Sequence, residues 1–145
     1  MKKIASIDLS AYIIDYALNK KTPISNLQLQ KLLYFINGEC FRETGDFIIE
    51  ENFYAYPLGP VNKKAYKIYK AYGAEEICSR TNIELDLPIE DKKILDAAID
   101  KYINLTAFEL VNKSHKPGGA WAQTRKKNGM YSVIDTSLIK QEFSV

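Results

Sequence analysis

The chain has 145 residues, 46% of them hydrophobic and 26% charged, with 20 basic against 18 acidic side chains and a net charge of +2. That length suits one domain with a core of its own, and a balance so near neutrality lacks the long basic footprint that phosphate-backbone binding demands. Cys40 and Cys78 make neither a disulfide framework nor a metal site, so a reduced, cytoplasmic setting is expected. No apolar run approaches the length of a membrane span. Asp8, Ser10 and Asp15 interrupt the residues that follow Met1-Lys2-Lys3, which argues against a signal peptide.

In chain order, Ile7, Ala11, Ile14 and Leu18 recur on one face of a helix over residues 6–19, broadened by Tyr12, Ile13, Tyr16 and Ala17. Pro23 ends it. Ser25 and Gln28 fit a capping box, with Ile24 and Leu29 placed for a hydrophobic staple. The helix that follows, to about Glu43, carries Leu29, Leu32, Leu33, Phe35, Ile36, Cys40 and Phe41, and Gly45 closes it. It is the most apolar helix and the expected centre of the fold.

Phe47-Ile48-Ile49 and Phe53-Tyr54-Ala55-Tyr56 predict one or two short strands, arranged as a small hairpin. Pro60 is read as the first residue of a helix carrying Val61, Ala65, Ile68, Tyr69 and Tyr72. Ile83, Leu85 and Leu87 alternate with Glu84 and Asp86, which fits a short edge strand or an extended loop. Pro88 opens a further helix, with Glu90 and Asp91 in its first turn, where the helix dipole favours negative charge. Thr106 and Glu109 form a second capping box, Lys116 to Gly119 a loop, and residues 121–127 one or two helical turns. Asn128-Gly129 is a turn, and Asp135 caps a last helix with Leu138, Ile139 and Phe143. The expected fold is mainly α with a small β element: a single-domain bundle over residues 1–145, of about five to six helices plus a short hairpin or edge strands.

Chemistry is sparse. His115, the one histidine, lacks the oriented nucleophile that acid–base or covalent catalysis requires, and no second His or close Cys pair supports a metal. Gly59-Pro60 and Gly118-Gly119 are read as structural turns, because neither shows a phosphate-cradling pattern and Pro60 removes a backbone donor. Lys113, Lys116, Arg125, Lys126 and Lys127 surround His115 and Trp121, and Lys63, Lys67 and Lys70 share a helical face. The commonest reason for such a shared face is solvation, and an acidic protein partner fits these patches as well as nucleic acid does. The ten tyrosines suit the edge of a core more than a dedicated binding surface. No catalytic residue, metal or cofactor is expected.

Three blocks, taken together, resemble one family. Leu29-Gln30-Lys31-Leu32-Leu33-Tyr34-Phe35 is the first, and Ala55-Tyr56-Pro57-Leu58-Gly59-Pro60-Val61 the second. Leu105-Thr106, Leu110, Ser114-His115 and Trp121, six residues past the histidine, form the third. In this order and spacing they resemble the Panacea domain of SocA/GepA-like antitoxins and phage-associated proteins. Tyr56 stands where that family often has Trp, and Ala120 where it often has Pro. The resemblance implies an antitoxin-like protein that neutralises a protein toxin by direct contact, encoded on a prophage or other mobile element. The alternatives are an adapter that delivers its toxin to a Clp protease, with residues 137–145 as a tether to the unfoldase, and a phage-encoded regulator of a host system. Partner contacts are expected at Tyr56, His115, Trp121 and Arg125, with Lys31 buttressing them from the central helix.

Overall fold

The computed structural model describes residues 1–144. Seven α-helices and a two-stranded antiparallel sheet are present among them: α1 (Ser6–Asn19), α2 (Asn26–Thr44), β1 (Tyr54–Tyr56), β2 (Gly59–Val61), α3 (Lys63–Tyr69), α4 (Ile89–Tyr102), α5 (Ala107–Ser114), α6 (Ala120–Asn128) and α7 (Thr136–Phe143). A 3-10 turn, Lys70–Tyr72, extends α3. The mainly helical expectation therefore holds, with the two segments near the C-terminus forming full helices.

Helix α2 is the axis of the molecule. It packs against α1, α3, α4, α5, α7 and β2. Its Leu29, Leu32, Leu33, Tyr34 and Ile36 are completely buried, and the polar Gln30, Lys31, Asn37 and Glu39 are buried as well. A helix enclosed on every side must satisfy such groups internally. Asn37 Oδ1 accepts from the backbone N–H of Ile48 and Ile49 at 3.0 and 2.9 Å, and Glu39 is held by Arg42, Lys101 and Tyr102. Both ends are as expected. Ser25 and Gln28 form a complete capping box, and Gly45 takes the left-handed conformation with φ 83°.

Several expectations need correction. Phe47 to Ile49 does not pair with the Phe53 segment. Asn37 already takes two of its N–H groups, and the segment bridges Ile4 instead. The hairpin lies one step further on, joining Tyr54–Tyr56 to Gly59–Val61 across Pro57 and Leu58. Gly59 and Pro60 therefore sit in a strand, neither forming the turn expected of them nor, for Pro60, starting a helix. Asn62 caps α3 through Ala65 N–H. On its other side β1 meets residues 131–134, with Ala55 N–H to Ser132 O at 2.8 Å and Tyr131 N–H to Ala55 O at 2.7 Å. Ile83 to Leu87 is an extended loop. Asp15 anchors its start by accepting from Thr81 N–H, Thr81 Oγ1 and Ile83 N–H. In α1 Ala11, Ile13, Ile14 and Ala17 are buried as expected, but the buried face also takes in Ser6, Leu9 and Ser10 and leaves Ile7 39% exposed. Small serines face inward there, and Ser10 Oγ is satisfied by Ser6 O. Ile68 is likewise exposed.

Of the tyrosines, Tyr34 and Tyr102 are buried, Tyr131 is exposed, and the others sit at intermediate depth. The core-edge expectation holds. No helix among the described residues is long and apolar enough to cross a membrane.

Candidate functional site

The hairpin, the end of α5 and the start of α6 converge over α2. There the structure assembles the five singled-out side chains into one cluster. Lys31 is fully buried, and its Nζ donates to Pro60 O at 2.8 Å. Burial alone, with no counter-charge, pushes its pKa down to about 7. Gly59 lies directly over it with φ 114°, a conformation that favours glycine. A Cβ there would collide with Ser114 Oγ and come within 2.9 Å of Lys31 Cε. The Gly-Pro pair thus lets the strand close onto a buried amine, while Gly118 (φ 77°) forms the turn before α6 and Gly119 is its N-cap.

His115 is the C-cap of α5 and stacks on Trp121, with ring centroids 3.9 Å apart and planes at 10°. Its Nε2 is buried with no hydrogen-bond partner among the described residues. Its pKa is lowered, first by burial and then by the nearby charges of Lys31 and Arg125. Arg125 lies 5.6 Å over the indole, a cation–π contact. Trp121 is only 4% exposed, and its Nε1 donates to Tyr56 O at 2.8 Å. That bond ties α6 to β1, so Trp121 works from beneath the surface. Trp121→Phe keeps the stack and loses the bond. An expected loss of about 1–2 kcal/mol in urea unfolding follows, from one lost hydrogen bond that leaves a carbonyl unpaired.

Of the surface above this cluster, the sequence singled out Tyr56 but not Tyr66 or Tyr131. Tyr56 packs edge-on against Tyr66 (5.6 Å) and Tyr131 (5.0 Å). Leu58, at the hairpin turn, is 55% exposed and Tyr131 is 58% exposed. With Val61 and the first turns of α2 they border a groove of about 620 Å³. Gln30 Oε1 accepts from Asn62 N–H and Gln30 Nε2 donates to Asn26 Oδ1, which braces the groove from α2. Tyr131 has φ 66°, an uncommon conformation for a bulky residue. In the fold, exposed Tyr131 and Val133 alternate with more buried Ser132 and Ile134, the period of a strand lying beside β1, a pattern that Tyr-Ser-Val-Ile does not show as a sequence. Among the described residues no group of His, Cys, Asp and Glu is placed to hold a metal ion.

A family model described as "Antitoxin SocA-like, Panacea domain" matches residues 29–122, the span from the central helix through Trp121. The chain is 33% identical over 122 residues to Antitoxin SocA of Caulobacter vibrioides (strain NA1000 / CB15N), covering 75% of this chain and 64% of that relative. It thus spans a little under two thirds of the relative's length. No solved structure matches. A central helix buried on all sides, a Gly-Pro strand over its lysine and a His–Trp stack all fall inside the matched span, and the chain belongs to the antitoxin SocA-like, Panacea-domain family.

Proposed function

We propose that this chain is an antitoxin that neutralises a protein toxin by direct binding, not an enzyme, and that the toxin docks on the hairpin face. Family membership supports the antitoxin class. The observation that carries the docking face is the pairing of exposed Leu58 with exposed Tyr131 beside a groove. Exposed apolar residues at a groove braced by buried polar bonds are what an interface core requires. His115, Trp121 and Lys31 hold that face in position from below, and Arg125 extends it on the exposed end of α6. An interface of the usual total size, about 1,600 Å², would extend well beyond the groove.

The test is co-expression with the product of the neighbouring gene in a heterologous bacterium. The neighbour alone should arrest growth, and this chain should relieve the arrest and co-elute with it in fixed stoichiometry. Leu58→Ser should weaken the complex about tenfold or more, equivalent to about 1.4 kcal/mol, and leave the thermal midpoint unchanged because the side chain is exposed. Relief without a stable complex would overturn neutralisation by occlusion. Relief that vanishes in a host lacking Clp would identify delivery to the protease instead. For that second reading α7 offers no free tether as it stands, since Ile139 and Phe143 are buried; Val145, the last residue of the expected tether, lies outside the described residues.

A further inference from the structure

Charge is distributed unevenly along this nearly neutral chain. Residues 53–74 and 110–134 contain no Asp or Glu but nine Lys or Arg, whereas the rest of the chain holds eleven basic residues against all eighteen acidic ones. The fold brings these two stretches together. The first supplies β1, β2 and α3, the second α6 and the segment beside β1, and α6 packs against β1. Lys63, Lys64 and Lys67 on α3 and Lys70 in the 3-10 turn after it are exposed, as are Arg125, Lys126 and Lys127 on α6.

Every ion pair among the described residues lies outside these two stretches. Elsewhere the molecule pairs five of its eleven basic side chains, as between Lys20 and Asp100 or Lys2 and Asp86. Around the groove it does not. The groove is therefore an apolar slot on a net basic face, flanked by Glu75 and Glu76 after Ala74 and by Asp135 near Lys127, and its lining contains Lys31 and Lys70 but no carboxylate. Such a field raises the encounter rate with an oppositely charged surface and penalises a like-charged one.

We propose, resting on the antitoxin reading above, that the groove takes an acidic segment of the partner protein. An aliphatic or aromatic side chain of that segment seats between Leu58 and Tyr131, and its flanking carboxylates lie over the lysines of α3 and the basic end of α6. A protein segment fits better than single-stranded nucleic acid. Binding without sequence preference uses aromatic faces as platforms for stacked bases, and here Tyr56, Tyr66 and Tyr131 are engaged edge-on with one another. Leu58, the most prominent apolar group at the turn, offers no such platform.

A random-peptide display library, selected on the wild-type chain and counter-selected on Leu58→Ser, tests this without knowledge of the toxin. The expected winners carry Asp and Glu around a Leu, Phe or Tyr. A synthetic winner should lose about tenfold or more in affinity when its carboxylates become amides, and a similar amount against Lys67→Glu/Lys70→Glu, with binding falling as salt rises. Neutral or basic winners, or no enrichment, would overturn the proposal. So would displacement of the peptide by an oligothymidylate that binds Leu58→Ser equally well, or a concentration-dependent dimer whose formation blocks the groove. The antitoxin reading can fail separately. A neighbour-encoded toxin whose docking requires Leu58 but ignores charge reversal would keep that reading and remove the acidic segment. Acidic winners with no toxin neutralised would do the reverse.

Discussion

Lys31→Met should stabilise the fold at neutral pH, and the gain should disappear in alkali. Lys31 is completely buried, with one hydrogen bond and no counter-ion. Its pKa falls from the ordinary 10.5 to about 7. Between those values the unfolded chain holds a proton that the folded chain has released. Stability therefore rises with pH through the window and is lost as pH falls toward 7. The gap corresponds to a penalty of roughly 4 kcal/mol near pH 7, declining to about 1 kcal/mol near pH 9.5. Methionine fills the same stem volume without a charge, but leaves the Pro60 carbonyl unpaired, which costs about 1–3 kcal/mol. The net expectation is a gain of about 2 kcal/mol near pH 7 and none, or a small loss, near pH 9.5.

Urea midpoints of both proteins at those two pH values check it. Parallel curves would show that the amine keeps its ordinary proton affinity when folded. Readings should stay at or above pH 7, because His115, whose lowered pKa depends in part on Lys31, adds a separate loss of stability below its ordinary value of 6.5. A buried amine that weakens its own fold at neutral pH fits a role in shaping the face above it. Lys31→Met should therefore weaken toxin capture while raising stability, a combination a purely structural lysine would not produce.

Phe143→Ala is expected to have the largest cost, about 3–5 kcal/mol, as for other buried aromatic truncations. Its ring is 3% exposed and lies against Tyr34 (5.7 Å) and Phe35 (6.1 Å) of α2. Gly38 makes this possible, since a Cβ there would run into the Phe143 ring. Gly38→Ala should therefore cost about 1–3 kcal/mol through overpacking, despite the gain of about 1 kcal/mol that alanine brings to a helix interior. In a Phe143→Ala background the same change should become favourable. A double-mutant cycle in urea reads this directly, and simple additivity would show that ring and glycine do not share the site. Glu142 reinforces the lock by accepting from both Tyr34 Oη and Ala120 N–H, so loss of α7 should also loosen the start of α6, on which Trp121 stands.

Local signals reached far into this molecule. Ser25 with Gln28 and Thr106 with Glu109 announced two helix starts, and both capping boxes form as read. These are contacts three residues apart, which sequence order nearly guarantees. The apolar stripe of α2 identified the central helix for the same reason. Three short motifs in a particular order also sufficed to place the chain in its family.

Other features depended on groups distant in sequence. Asn37 took the N–H groups that would have paired Ile48 and Ile49 in a sheet, and no local pattern foretells that. Pro60 looked like a helix start, but it lies opposite Ala55 in the sheet and its carbonyl accepts from Lys31. Lys31 was expected to buttress the site from the central helix, but nothing in its neighbourhood in sequence marked it as buried. Only the closing of Gly59 over its side chain buries the amine and depresses its pKa. Tyr56, His115, Trp121 and Arg125 were singled out on the family resemblance and on the chemistry of aromatic and Arg anchors, but the sequence by itself could not tell the buried brace, Trp121, from the exposed face, Leu58 and Tyr131. Periodicity constrains one element at a time. Which side of a residue meets water is decided by the elements that pack over it.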